Sequence, residues 1–352
     1  MTRDSRSADS SFLPPASVLG IGAVTPIGRE LSTITTNLFP PLAGSSGART
    51  LRLGSRGVLA PENPAEGKEF LRVNDDLLAD PSVSRGLRRA DHFVRMAAIA
   101  ALDAWTSARG AGAAVAMEKV GLIITSGLGP HGRSFKFLDG ILDCGDSSAL
   151  PTDFSHSVHG VAASYVAGLL DLRGPSLSTT DFECGFEQAV LLAQCWLNSG
   201  ACTRVLLGAV EELGEVLIHC ASRLLADNPP FVLGEGAVFL TLGPSDAPGI
   251  AHLDAAASAH DVGLLIVDEP SLFPPSMPPT AAATATFTPY FGHSASNSAF
   301  QALGGLLSLS AGRPLGRVIH PPQPASPSPF DNAMTFRTLC DRPASLLLKR
   351  TK

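Results

Sequence analysis

The sequence predicts a layered α/β fold built from two similar halves. Short runs of small and β-branched residues, such as "ASVLGIGAV" (16–24) and "VGLIITSGLG" (120–129), are followed by glycine or proline turns, as buried strands usually are. Helical patterns separate these runs, and the pattern restarts after Pro244, so that the two halves join near Pro244 to Pro248. We therefore expect an N-terminal half over residues 16–243 and a C-terminal half over 249–352, packed as one compact body with a pseudo-twofold.

The helices of the first half show two kinds of pattern. In "RRADHFVRMAAIAALDAW" (88–105) apolar residues recur at helical spacing, and Asp91 is a candidate N-cap. "SVHGVAASYVAGLLDLRGP" (157–175) predicts a helix of small residues that permits close approach of a neighbouring element. The stretch "STTDFECGFEQAVLLAQCWLNSGACTRVLLGAVEE" (178–212) predicts a strand, a sharp turn, a helix and a second strand.

The second half follows a glycine-rich strand, "FVLGEGAVFLTLG". Its pattern predicts a strand at "VGLLIVDEP", a helix at "GHSASNSAFQALGGLLSLSAG", and strands at "GRVIHPP" and "PASLLLKR". Two segments give no period: residues 40–66 are expected to form a loop, and residues 269–289, rich in Pro, Ala and Thr, an insert.

Composition excludes several classes of function. The net charge of the 352-residue chain is −6 without any block of Lys and Arg, which argues against nucleic-acid and anionic-membrane partners. Residues 1–15 are polar and predict a disordered leader, and no apolar run reaches the roughly 18 residues of a membrane helix. The six cysteines lack metal-ligand spacing, so we expect reduced, mostly buried thiols in a cytoplasmic protein, with no metal and no cofactor.

Five segments in order resemble the β-ketoacyl synthase family. They are "VLGIGAVTPIG", "RRADHFVRMAAIAALDAW", "DFSHSVHGVAASYVAGLLDLRGPSLS", "FVLGEGAVFL" and "FGHSASNSAFQALGGLLSL". The resemblance runs from about residue 18 to residue 348, and "FSHSVHG" is most similar to the divergent branch that includes chain-length-factor-like subunits. It implies a thiolase-like five-layered α-β-α-β-α fold, a dimer, and a place in polyketide or fatty acid biosynthesis.

The expected active-site residues are mostly missing or displaced. Counted from Gly174-Pro175, the nucleophile's place falls on Glu183, and Cys184 lies one residue beyond. The resemblance implies a first catalytic histidine after "GLLIV", where the sequence has "DEPSLF". The second is present as His293, and "TFRTLCDRP" replaces the family's glycine-rich loop. A condensing enzyme needs a thiolate and two imidazoles, and Glu183 cannot form a stable thioester.

Three hypotheses follow from these residues. The first is a non-condensing chain-length factor that pairs with an active ketosynthase as a heterodimer, serves an acyl carrier protein and shapes the acyl tunnel. The second is an active, divergent ketosynthase that uses Cys184 and His293. The third is a carrier-protein-binding scaffold.

Several side chains have a structural alternative. Phe182 and Phe186 flank the nucleophile's place, either as tunnel residues or as core anchors. Cys184 is alternatively a buried small residue, and His293 a relic that bonds a buried carbonyl. We expect structural or interface roles for His156 and His159, and a solvated or interfacial position for Glu211 and Glu212. The four cysteines expected in the core are Cys195, Cys202, Cys220 and Cys340.

Overall fold

The computed structural model describes residues 13–38, 70–108, 115–224, 232–255, 261–268, 280–320, 331–336 and 345–351. The strands are β1 (Ala16–Val24), β2 (Val120–Ser126), β3 (Ser176–Thr180), β4 (Arg204–Glu211), β5 (Gly236–Gly243), β6 (Ala251–Asp254), β7 (Asp261–Val267), β8 (Thr280–Thr286), β9 (Arg317–His320), β10 (Asn332–Phe336) and β11 (Ser345–Arg350). The helices are α1 (Leu31–Asn37), α2 (His92–Ser107), α3 (His131–Cys144), α4 (Pro151–Ser157), α5 (Val161–Leu170), α6 (Gly185–Asn198), α7 (Glu215–Leu224), α8 (Thr288–Phe291) and α9 (Asn297–Ala311).

The strand order repeats between the two halves of the chain. The described strands pair in the order β3-β2-β4-β5-β1-β6-β11-β10-β7-β8-β9. The first five, β3-β2-β4-β5-β1, correspond to β8-β7-β10-β11-β6, with the same sequence of parallel and antiparallel pairings. The two sets meet where β1 pairs antiparallel with β6. This repeat confirms the prediction of an α/β fold with two pseudo-repeated halves.

Helices cover the sheet on two levels. An outer layer contains α2 and α5, which pack on each other and on strands of the first half. A central layer contains α6 and α9, which contact each other and strands of both halves. The apolar faces of these helices and strands form the two large buried clusters of the described chain.

Local chemistry explains the position of α2. The Asp91 carboxylate accepts a hydrogen bond from the Val94 N–H at 2.9 Å, so it caps the helix as the sequence predicts. The helix lies directly on β1 because Gly20 and Gly22 leave no side chain between them; a Cβ atom at Gly22 would collide with the Ala100 carbonyl. Small residues on both elements therefore allow this close approach.

Some expectations require correction. The insert predicted over 269–289 is wrong for its described part, because β8 pairs with β7 and β9 inside the sheet and Phe287 is fully buried. Cys195 and Cys220 are exposed rather than in the core, whereas Cys202 is buried. Cys340, the loop over 40–66 and residues 1–12 of the leader lie outside the described residues. No helix in the described ranges combines the length and apolar character needed to span a bilayer.

Candidate active site

Three parallel strands direct their carboxyl ends to the same edge of the sheet. Strand β2 pairs in parallel with both β3 and β4. In open α/β sheets this edge is where ligands usually bind, because loops and helix N-termini converge there. The turn over 181–184, the glycine turn after β2 and the acidic end of β4 all lie at this edge.

The turn between β3 and α6 is closed by an aspartate. Asp181 Oδ1 accepts hydrogen bonds from the backbone N–H of Glu183 at 2.7 Å and of Cys184 at 3.0 Å. Gln188 Nε2 donates to the other carboxylate oxygen at 3.1 Å and so orients it. Glu183 is exposed, and Cys184 is half-buried as the N-cap residue of α6. The two N–H groups nearest the expected nucleophile thus already have an acceptor within the chain.

The two phenylalanines of this turn have opposite environments. Phe182 is 61% exposed at the end of β3. Phe186, in the first turn of α6, is 1% exposed and belongs to the central core cluster. Of the two sequence-based alternatives, burial favours a core anchor for Phe186, whereas Phe182 is free to meet a partner or a ligand.

Glu211, at the end of β4, is buried between the two halves, contrary to the solvated or interfacial position expected for it. Its Oε1 accepts hydrogen bonds from the Gly127 N–H at 2.5 Å and from Ser296 Oγ at 2.6 Å. Ser126 Oγ donates to Oε2 at 3.3 Å. Burial raises the pKa of this carboxyl, and the hydrogen bonds offset only part of that shift.

The segment that carries His293 lies against the first half. The His293 N–H donates to the Val232 carbonyl at 2.8 Å, and its carbonyl accepts from the Gly234 N–H at 3.0 Å. Two residues later, Ala295 occupies the space that a side chain at Gly127 would need, beside Glu211 and Phe182. The structure therefore brings the segment after His293 to the same sheet edge as the turn over 181–184.

A second acidic group, Glu212, links β4 to the start of α3. Its Oε1 accepts the Gly132 N–H at 2.8 Å, and burial raises the pKa of Glu212 to about 7. The neighbouring His131 ring accepts the Gly214 N–H at Nε2, so its proton is on Nδ1, which donates to the Gly129 carbonyl. Burial also lowers the pKa of His131, which keeps the ring neutral.

Glu235, which precedes β5, is the centre of a buried ionic cluster. Its Oε1 accepts from His92 Nε2 at 2.9 Å, from Arg72 Nε at 3.2 Å and from the Val73 N–H at 3.0 Å, and its Oε2 accepts from the Leu213 N–H. Burial acts to raise the pKa of Glu235, but the hydrogen bond and charge of His92 outweigh it and the pKa is lowered. The cluster fixes the start of α2 to the loops of this sheet edge.

The remaining predicted histidines lie on the segment before β3. His156 is buried and its Nε2 lies 3.2 Å from Tyr165 Oη, which is consistent with a structural role. His159 is exposed, and its ring packs beside Gly129, where a Cβ atom would meet it.

Comparison with known proteins assigns the family. Residues 15–245, more than half of the chain, match the model of the β-ketoacyl synthase N-terminal domain. This chain belongs to the β-ketoacyl synthase family. A curated relative is 3-oxoacyl-[acyl-carrier-protein] synthase 2 of Coxiella burnetii (strain RSA 493 / Nine Mile phase I), which is 26% identical over 164 residues. That match spans 46% of this chain and only 37% of the relative.

Solved structures confirm the thiolase-like ketosynthase fold. The ishigamide ketosynthase/chain length factor aligns with a TM-score of 0.71 and 15% identity, over 97% of this chain and 100% of that chain. A type II polyketide synthase acyl-carrier protein in complex with its ketosynthase aligns with a TM-score of 0.70 and 14% identity, over the same shares. At this identity the likeness establishes the fold of this β-ketoacyl synthase family member.

Sequence reasoning missed several polar residues of the site. Asp181, Glu187 and Glu235 were assigned no role, and Ser126 and Ser296 were passed over. For Glu187 and Glu235 the available signal was a carboxylate at the beginning of an apolar helix or strand, where a solvated charge is unexpected. Asp181 is a residue type that accepts backbone N–H groups in turns. The partners of Glu187, Glu235 and Ser296 are distant in sequence, so the spacing of residues gives no indication of them, whereas those of the Asp181 carboxylate lie within 7 residues.

Proposed function

We propose that this chain is a non-condensing ketosynthase-like subunit that pairs with an active β-ketoacyl synthase and acts as a chain-length factor. The observation that carries the proposal is the turn between β3 and α6. By the count from Gly174-Pro175, Glu183 falls at the nucleophile's place, and the Asp181 carboxylate accepts hydrogen bonds from the N–H groups of Glu183 and Cys184. Acyl-transfer sites use such backbone donors to stabilise a developing oxyanion. Here the donors are already engaged, and a carboxylate replaces the thiol.

The edge of the sheet supports the partner in this proposal. Strand β3 is an edge strand that pairs only with β2 among the described strands, and its sequence, "SLSTT", contains no charge or proline to discourage pairing. Such an edge can accept a strand from another subunit. Leu177 and Phe182 are exposed along it.

The helices beside β3 expose further apolar side chains. Helix α3 presents Phe135, Leu138 and Leu142 at helical spacing, and Phe154 of α4 is also exposed. Helix α4 contacts both α3 and α5, and α5 packs on β3. An exposed apolar face of this kind next to an open strand edge is typical of a surface that a partner protein covers.

A basic cluster supports contact with an acyl carrier protein. Arg85, Arg88 and Arg89 are exposed in the turn that leads into α2, and none of them forms an ion pair with another residue in the described part of the chain. In a chain of net charge −6 this local positive charge favours an acidic partner surface. On this proposal, the acyl carrier protein meets the cluster with an acidic surface.

Co-expression with a ketosynthase that retains its Cys-His-His set tests the pairing. We expect a 1:1 complex by size-exclusion chromatography with light scattering, and Leu177→Asp should dissociate it. Ile250→Asp is the matched control, because Ile250 is 41% exposed against 38% for Leu177 but lies beside β6, far from β3 in the sheet. A stable monomer with no affinity for a ketosynthase would refute the pairing.

Charge reversal tests the carrier-protein contact in the purified complex. Arg88→Glu/Arg89→Glu should weaken binding of the carrier protein about tenfold or more, and the effect should shrink at high salt. Arg317→Glu, an exposed arginine on β9 at the opposite end of the sheet, should leave binding unchanged. Equal affinities of the wild-type complex and of both variants for the carrier protein would contradict a role for this arginine cluster.

The alternative of an active, divergent ketosynthase is favoured by one observation: Cys184 is the N-cap residue of a 14-residue helix, a position that stabilises a thiolate. Under our proposal a thiol-directed ketosynthase inhibitor labels the partner's cysteine and leaves Cys184 unmodified. Cys184→Ala should then retain product formation by the complex. Rapid, selective labelling of Cys184 with loss of activity would instead establish the alternative, and loss of activity in His293→Ala would then test His293 as its partner. A complex that binds the carrier protein, but whose product length is the same in Phe182→Ala and the wild type, would favour the hypothesis of a carrier-protein-binding scaffold.

A further inference from the structure

The first turn of α9 meets the first half of the molecule through two pairs of polar side chains. Ser296, the N-cap residue, donates to Glu211 Oε1 at 2.6 Å, and Ser298, the second residue of the helix, donates to Glu187 Oε1 at 2.5 Å. All four side chains are buried. Glu211 ends β4 and Glu187 lies in the first turn of α6, so each pair joins the two halves.

Other contacts reinforce the same junction. The backbone of His293 pairs on both sides with residues 232 and 234, in the loop before β5. Ala295 fills the space beside Gly127, where any side chain would push it away. These contacts connect the segment over 293–298 to the first half, although the segment belongs by sequence to the second.

We infer that Glu211 and Glu187 are positioning residues that fasten the start of α9, and with it the His293 segment, to the edge of the sheet that carries Glu183 and Cys184. Each buried carboxyl offers an acceptor where the serine hydroxyl would otherwise lose its hydrogen bond to water. Because the two serines lie two residues apart in the first turn and bond to different elements, β4 and α6, the two pairs fix both the depth and the rotation of the helix N-terminus. This role does not depend on whether the chain condenses substrates or only completes a partner's site.

Hydrogen exchange followed by mass spectrometry on the full chain measures the effect directly. Loss of one such hydrogen bond, by Ser296→Ala or Ser298→Ala, should accelerate exchange of the amides over 292–299 about fivefold. Peptides from β10 and β11 should exchange as in the wild type. Ser308→Ala is the matched control, because Ser308 is a buried serine of the same helix that bonds within the second half, to the Gly304 carbonyl and the Leu315 N–H.

Substitution of the acceptor separates positioning from mere packing. Glu211→Gln keeps the shape and an acceptor oxygen for Ser296, so exchange over 292–299 should remain as in the wild type. Glu211→Met has a similar volume but no acceptor, so exchange over 292–299 should rise at least as much as in Ser296→Ala, because the Gly127 N–H loses its acceptor as well. Adding Ser296→Ala to Glu211→Met should then change this exchange little. Unchanged exchange in Ser296→Ala and Ser298→Ala, or an increase spread evenly over the whole chain, would overturn the inference.

Discussion

Phe182 and Phe186 allow one substitution to be compared in two environments four residues apart. Phe186 is 1% exposed within the central core cluster, so Phe186→Ala removes a whole buried ring and leaves a cavity. Such changes cost about 3–5 kcal/mol. Phe182 is 61% exposed, so Phe182→Ala should change the free energy of unfolding by less than about 0.5 kcal/mol.

Urea denaturation of the purified chain, followed by circular dichroism, gives both free energies. The same variants then distinguish stability from association: Phe182→Ala should fold normally but weaken the complex with the ketosynthase or change product length. Phe186→Ala should lower the urea midpoint whether or not a partner is present. Equal losses of stability in the two variants would refute the assignment of Phe186 to the core and Phe182 to the surface.

Three further predictions concern the sheet edge and its neighbours. Glu212 lies near Asp91, His92, His131 and Glu235, and its pKa is about 7 in the folded protein against an ordinary 4.5. The folded state therefore binds this proton more tightly than the unfolded chain does. The resulting stability is fully present below about pH 4.5 and is lost as the pH rises through about 7. The free energy of unfolding of Glu212→Gln should therefore exceed that of the wild type by on the order of 1–3 kcal/mol as the pH rises from 5 to 8. Urea denaturation of both proteins across this pH range measures the difference, and the same pH dependence in both would contradict the prediction. Asp91→Ala removes the cap of α2 and should cost about 1 kcal/mol, whereas Asp91→Asn should recover most of it; thermal melts of both variants check the cap. Gly22→Ala should destabilise the chain by about 1–3 kcal/mol, because its methyl group meets the Ala100 carbonyl, and a melting temperature equal to that of the wild type would show that α2 does not lie so close to β1.

The predictable part of the fold is the part that depends on local patterns. Strand β2, helix α2 with its Asp91 cap, and the strand–turn–helix–strand stretch follow from apolar periods and turn residues, and all are present. Strand β8 was mistaken for part of an insert because "TAAATAT" consists of small residues without a period, and its burial comes only from pairing with β7 and β9. Tertiary pairing decides such a segment.

The polar part of the site was less predictable for a physical reason. Glu211 follows an apolar strand and reads as a solvated strand end, but Gly127 and Ser296, 84 and 85 residues away, remove it from water. A carboxyl is buried only where such partners meet it, and the sequence contains no local trace of that meeting. The same holds for Glu235, whose carboxylate oxygens accept hydrogen bonds from the side chains of Arg72 and His92 and from the Leu213 N–H.

On our proposal, the turn before α6 accounts for the loss of condensing activity. A nucleophile at a helix N-terminus is reactive because the turn leaves its thiol accessible and its N–H groups open to an oxyanion. Asp181 supplies an internal anion to those N–H groups, and Gln188 orients it. With both N–H groups bonded to Asp181, a thiol at position 183 would have no backbone donors available to stabilise an oxyanion. A glutamate at this position therefore removes no further catalytic group. Because β3 and Phe182 are exposed beside this turn, the surface that our proposal assigns to a partner remains accessible. On our proposal, an active ketosynthase bound at that surface supplies the catalytic thiol, and this chain supplies the side of the acyl tunnel that faces it.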